Sequence, residues 1–254
     1  MSTSARLFFA MIGLMGAAAP ALAQDAPPWA LTGYVQVTSD YKFRGISQND
    51  RNFAPQGSLS VTGPDGFYVA AWASQVDFDP TSSNNPQVEL DIYGGKHTDL
   101  WGVDWNFMPY YYSYPSEQYG AGPNADYFEL INEFTKSFGP ATLTGHWAWS
   151  DNLPFNGGTG NALWGTASYT VLDWLSVSGN IGHQWAQNAK YAGSSGYTFG
   201  DIGVTAMWKG FALDLRYNGT DLGSAQCAAF WMATTHACAG NFIATLTYNV
   251  SLLP

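Results

Sequence analysis

The sequence predicts an all-β protein, a transmembrane antiparallel β-barrel of about twelve strands. Three observations predict it. Apolar and polar side chains alternate with a period of two in segment after segment; no window outside the N-terminus approaches the roughly 20 uninterrupted apolar residues of a membrane-spanning helix; and short and long connections alternate along the chain. A barrel strand turns one face to lipid and the other to the lumen, so its mean hydropathy stays near neutral, here −0.12.

The elements follow in chain order. Arg6, the apolar run Leu7 to Leu14 and the small-residue pattern Ala21-Leu22-Ala23 read as a secretory signal peptide over residues 1–23, followed by a periplasmic tail at 24–30 and the barrel at 31–254. Strands are predicted at roughly 31–45, 54–63, 66–78, 87–99, 102–114, 126–138, 141–151, 161–172, 174–186, 196–208, 211–221 and 240–252, an even number as single-chain bacterial barrels require. In the first, Leu31, Val35, Val37, Tyr41 and Phe43 oppose Thr32, Gln36, Thr38, Asp40, Lys42 and Arg44. Val88, Leu90 and Ile92 oppose Glu89 and Asp91; Leu143, Trp147 and Trp149 oppose Thr144 and His146; Phe242, Ala244, Leu246 and Tyr248 oppose Thr245, Thr247 and Asn249. Three segments, 66–78, 103–114 and 127–138, carry apolar residues on both parities, as a strand does when aromatics also pack on its inner face.

Short connections at Pro64-Asp65-Gly66, Leu100-Trp101, Gly139-Pro140, Asp173 and Lys209-Gly210 hold turn residues at turn positions. Longer ones at 46–53, 79–86, 115–125, 152–160, 187–195 and 222–239 fall on the other side, the asymmetry of an outer-membrane barrel with its turns in the periplasm. A soluble sandwich also alternates. Against it stand strands as long as a tilted membrane strand, and Tyr and Trp near many strand ends, Trp72, Trp147, Trp174, Trp185 and Trp208 among them, as in interfacial girdles.

Charge narrows the partners. Removing residues 1–23 leaves 254 − 23 = 231 residues with eight basic and nineteen acidic side chains, a net of −11, which argues against nucleic acid and anionic surfaces. Charged residues are only 11% of the chain against roughly 25% in soluble proteins, and aromatics at 16% exclude disorder.

The stretch Thr38-Ser39-Asp40-Tyr41-Lys42-Phe43-Arg44-Gly45-Ile46-Ser47-Gln48 resembles the opening of the TorF-family porins of proteobacterial outer membranes. Further matching pieces follow in order: Gln56-Gly57, Gly66-Phe67-Tyr68, Trp72 to Phe78, Glu89 to Gly95, Tyr112 to Pro115 and Asp126 to Glu129. The likeness covers roughly the first half of the mature chain. It implies an outer-membrane porin and brings no substrate and no functional residues to carry over. The terminus departs from such barrels, closing on Leu252-Leu253-Pro254 with Tyr248 the last aromatic.

Candidate site residues are the inward charges Lys42, Arg44, Glu89, Asp91, Asp104, Asp214 and Arg216, since hydrocarbon charges several kcal/mol for an outward one at mid-depth. Glu129, Glu133 and Asp201 face them. Either this lining sets a preference for cations or neutral polar solutes, or opposite charges pair across the lumen and close it. Cys227 and Cys238, alone in the last long loop of an exported chain, are predicted to form a disulfide. Zinc wants more ligands than these and His236, and no calcium loop stands out in 77–85 or 152–161, so no metal is assigned. His146 on the lumen parity, with Ser150, Ser178 or Asn180 nearby, and His183 are the hydrolase candidates, but no Gly-x-Ser-x-Gly elbow accompanies them. The function expected is passive diffusion of small hydrophilic solutes or ions through an outer-membrane barrel, without enzymatic chemistry or cofactor, the only other partner being membrane lipid. A closed structural or adhesin-type barrel is the alternative, and a lipid hydrolase a third. Nothing in the chain marks a subunit interface.

Overall fold

A computed structural model describes residues 29–78, 85–115, 125–187, 196–230 and 235–253. The expected signal peptide, most of the tail and the cores of the connections at 79–84, 116–124 and 188–195 lie outside the described residues. The described residues hold fourteen strands: β1 (Ala30–Thr38), β2 (Lys42–Phe43), β3 (Ile46–Ser47), β4 (Ala54–Thr62), β5 (Phe67–Gln75), β6 (Val88–Leu100), β7 (Val103–Ser113), β8 (Tyr127–Phe138), β9 (Ala141–Leu153), β10 (Gly158–Leu172), β11 (Leu175–Ala186), β12 (Gly196–Trp208), β13 (Phe211–Thr220) and β14 (Asn241–Leu253). All but β2 and β3 join one closed antiparallel barrel of twelve strands, each beside its chain neighbour and β1 paired with β14. Closure leaves no strand edge unpaired, a requirement in hydrocarbon, where no water satisfies a free amide.

Local chemistry accounts for the hairpins. Trp101-Gly102 and Lys209-Gly210 have positive φ at both positions (55° and 79°; 47° and 86°), the two-residue turn whose twist matches that of the flanking strands. Along the strands, Val35, Leu59, Ile181, Ile202 and Phe242 point outward and are more than half exposed, a pattern suited to lipid and costly in water. Their neighbours Gln36, Ser58, Asn180, Asp201 and Asn241 occupy the opposite parity.

The interior has two unlike halves. On β5 to β8 the inward residues Tyr68, Trp72, Met108, Tyr110, Tyr112, Tyr127 and Ile131 form a buried cluster, with Tyr112 stacked on Tyr127 at 4.2 Å and Tyr93 on Tyr110 at 4.6 Å. Here lies the reason for apolar residues on both parities of these segments: one set meets lipid and the other fills the barrel. On β10 to β14 the inward side chains are mostly Ser, Thr, Asn, Asp and Arg.

Four sequence expectations need correction. The first strand does not run to residue 45; it ends at Thr38, so Lys42 and Arg44 lie on a separate hairpin and Tyr41 and Phe43 are buried inside rather than facing lipid. Alternation continued through them because a hairpin strand shares the period of two, and period alone does not say which partner a strand pairs with. Trp72 is inside the barrel and is no girdle residue. The connection expected at 152–160 shrinks to the turn Pro154–Asn156, as β9 and β10 continue beyond their predicted ends. Finally, a short helix, α1 (Ser224–Phe230), stands in the last connection of a chain whose sequence predicts only strands.

Candidate functional site: a barred lumen

Beyond Thr38 the chain turns into the barrel. Thr38 Oγ1 donates to the Asp40 carbonyl at 3.0 Å, Ser47 Oγ to Asp40 Oδ1 at 2.6 Å, and the Tyr41 amide to Asn49 Oδ1 at 3.0 Å. These bonds replace the ladder partners that a longer β1 would have had. The strands β2 and β3 pair Lys42 with Ser47 and Phe43 with Ile46 around an Arg44-Gly45 turn with φ of 44° and 85°. Every residue from Asp40 to Asn49 is buried.

The hairpin springs from β1 and β4 and reaches the opposite wall. Arg44 donates from Nη1 and Nη2 to the two carboxylate oxygens of Glu129 at 2.8 and 2.7 Å, and from Nη1 to Gln184 Oε1 at 2.7 Å. Glu129 is on β8 and Gln184 on β11, each four strands round the ring from the hairpin's own ends. A guanidinium matched bidentately to a carboxylate is the strongest polar pairing available to side chains, and burial raises the penalty for losing either partner. The same guanidinium lies 4.6 Å from the Phe43 ring and 5.2 Å from that of Trp164. Phe43 in turn meets Tyr112, and Tyr41 meets Trp72, seating the hairpin on the aromatic half. Its tip abuts the other wall: a Cβ on Gly45 would stand 2.5 Å from Thr220 Cγ2.

The outer loop holds the hairpin's base. Lys42 Nζ donates to the carbonyls of Ala237 and Ala239 at 3.3 and 2.8 Å, the Ser47 amide to Ala237 at 2.9 Å, and Arg51 Nη2 to His236 and Ala239 at 2.6 and 2.8 Å. The Cys227–Cys238 disulfide ties these carbonyls to α1, as the sequence predicted. Burial pushes the Lys42 ammonium, which the hairpin holds against this loop, down to about 8, with Asp40 opposing that fall and Arg51 adding to it.

The remaining predicted site residues are dispersed along the lumen. Glu89 and Asp91 on β6 are inward and buried; Tyr110 donates to Asp91 Oδ2 at 2.8 Å, while Glu89 Oε2 and Asp91 Oδ1 make no hydrogen bond. Asp104 is half exposed at the turn end and pairs with His97 Nδ1 at 2.8 Å. Asp214 and Arg216 on β13 pair with each other at 3.0 Å, Arg216 also binding Asp201 and Ser178. This group hugs its own wall, so of the two Arg clusters only the Arg44 one spans the lumen.

His146 meets Glu133 at Nδ1 (3.1 Å) and Thr166 Oγ1 at Nε2 (3.3 Å), with Trp164 stacked on its ring, rather than the serines expected from sequence. The sequence places Glu129 in the lumen without its partner and gives no local sign of Gln184. Their link to Arg44 crosses 85 and 140 residues of chain, a separation that no local pattern reports. The available signal was Gly45, placed where an alternating segment had to reverse.

Residues 22–250 match the Gcw_chp family, described as bacterial protein of unknown function. The chain belongs to the Gcw_chp family. No curated protein matches this Gcw_chp chain. Among solved structures it is similar to the KdgM porin (TM-score 0.53, 7% identity, 86% of this chain and 98% of that one). It is likewise similar to the NanC porin (0.53, 9%, 89% and 99%) and an outer membrane channel from Pseudomonas putida F1 (0.50, 14%, 92% and 100%). At such identities the likeness is one of fold: this Gcw_chp chain has the barrel architecture of outer-membrane porins.

Proposed function

We propose that the protein is an outer-membrane channel for passive diffusion of small hydrophilic solutes, with a preference for cations or neutral molecules. One observation carries this reading. The wall of β10 to β14 presents partly exposed Thr166, Asn180, Asp201, Asp214 and Arg216 to the interior while the outer wall is apolar, so the barrel keeps a polar lane beside its aromatic filling. Carboxylates at positions 89, 91, 104, 129, 133, 201 and 214 outnumber inward cations at 42, 44 and 216, which supports cation over anion preference. The TorF-family resemblance supports the same class, with residues 1–23 as the export signal, 24–30 as a periplasmic tail and membrane lipid around the barrel. The KdgM porin, a barrel of this fold, has been solved in complex with disordered oligogalacturonate, a hydrophilic but anionic solute.

No chemical step is needed. The Glu133–His146–Thr166 chain has the order of an acid, a base and a hydroxyl, but Thr166 sits in mid-strand between Thr144 and Asn180. Backbone amides there are spent on the ladder and leave no donors for an oxyanion. A second reading, a closed structural or adhesin-type barrel, is favoured by the buried hairpin across the mouth. Liposome swelling with sugars of graded size, together with reversal potentials in asymmetric KCl, separates the two. Size-limited swelling and a cation-selective potential are expected; no swelling and no conductance from any variant would remove the channel reading.

A further inference from the structure

We propose that the Asp40–Asn49 hairpin is a gate, shut at its tip by Arg44 on Glu129 and Gln184 and hinged at its base on the disulfide-tied loop. The inference rests on the channel reading and adds a closed and an open state to it. Three features distinguish a gate from permanent filling. The polar fastening of the tip is one charge cluster, Arg44 with Glu129 and Gln184, set among the rings of Tyr112 and Trp164, whereas the hydrogen bonds among Asp40, Tyr41, Ser47 and Asn49 keep the hairpin folded as a unit. The base is attached through backbone carbonyls of Ala237 and Ala239, a mooring that survives when the tip lets go. Nor is the polar lane closed by its own charges, because Arg216 is paired along the wall with Asp201 and Asp214. Releasing the tip therefore takes the hairpin from across the lumen without disturbing a barrel strand.

Breaking a buried ion pair from one side leaves an uncompensated charge, and the hairpin can relieve it by swinging out to water. The expected effect in Arg44→Ala and Glu129→Ala is amide exchange in residues 40–49 faster by on the order of a hundredfold, with barrel strands unchanged, and a higher open probability in planar bilayers. The charge swap Arg44→Glu with Glu129→Arg is expected to restore slow exchange and low conductance, which loss of packing alone would not allow. Arg51→Ala, at the rim, weakens the base and serves as a second variant; heat-shifted gel mobility verifies that each full-length barrel is folded. Exchange and conductance at wild-type levels in all the single variants overturn the gate, as does a swap no tighter than the singles. Faster hairpin exchange with no conductance in any variant defeats the channel reading itself, and the gate with it.

Discussion

Gly45 shows how much can depend on one missing side chain. It turns the hairpin at φ 85° against Thr220, Gly219 and Phe199, so Ala there is both strained and in collision. Gly45→Ala should cost about 1 to 3 kcal/mol of hairpin stability and appear as faster exchange over residues 40–49 with an unchanged barrel melt. Lys42 offers a prediction with a defined sign. Its ammonium is held near 8 in the folded state against 10.5 when unfolded, so between those values the unfolded chain binds more protons. Stability should therefore rise with pH across that window and lie flat just below it, a trend absent in Lys42→Met when melts are compared from pH 7 to 10.

At the scale of the element, parity sets what each strand position tolerates. Ile181 on β11 faces outward and is 69% exposed, while Asn180 beside it faces Asp201 across the lumen wall. A lysine at 181 should cost about 2 to 4 kcal/mol, since it places an ammonium near the hydrocarbon midplane. The same residue at 180 meets a carboxylate and should cost far less. Urea titration of the barrel folded into vesicles compares Ile181→Lys with Asn180→Lys, and equal penalties would show the parity to be wrong. The hairpin β2–β3 obeys the same alternation, yet neither face meets lipid. An extended segment carries its period wherever it goes; its surroundings are set by its partners.

For the whole molecule, the closed ring and the loop above it are stabilised in different ways. The barrel is held by the strand ladders, the aromatic half and lipid, whereas the outer loop depends on the Cys227–Cys238 bond across eleven residues. Replacing both cysteines by serine should cost about 3 kcal/mol in the chain-entropy model. The loss is expected as loosening of residues 235–239 and of the hairpin moored to them, with the heat-shifted gel mobility of the barrel retained.

The sequence by itself determined the barrel: twelve strands and the parity of nearly all of them were legible because one face must meet hydrocarbon and the other must not, a constraint written every second residue. The disulfide was legible too, from two cysteines within one loop. What only the tertiary structure decided is the state of the mouth. Tyr41, Lys42, Phe43 and Arg44 have the pattern of one more turn of strand. Their fate depends on Glu129, Gln184 and the Ala237 and Ala239 carbonyls, groups 85 to 197 residues away that chain closure brings within hydrogen-bond reach. A local period records which face is oily; it holds no information about which distant carboxylate waits across the lumen.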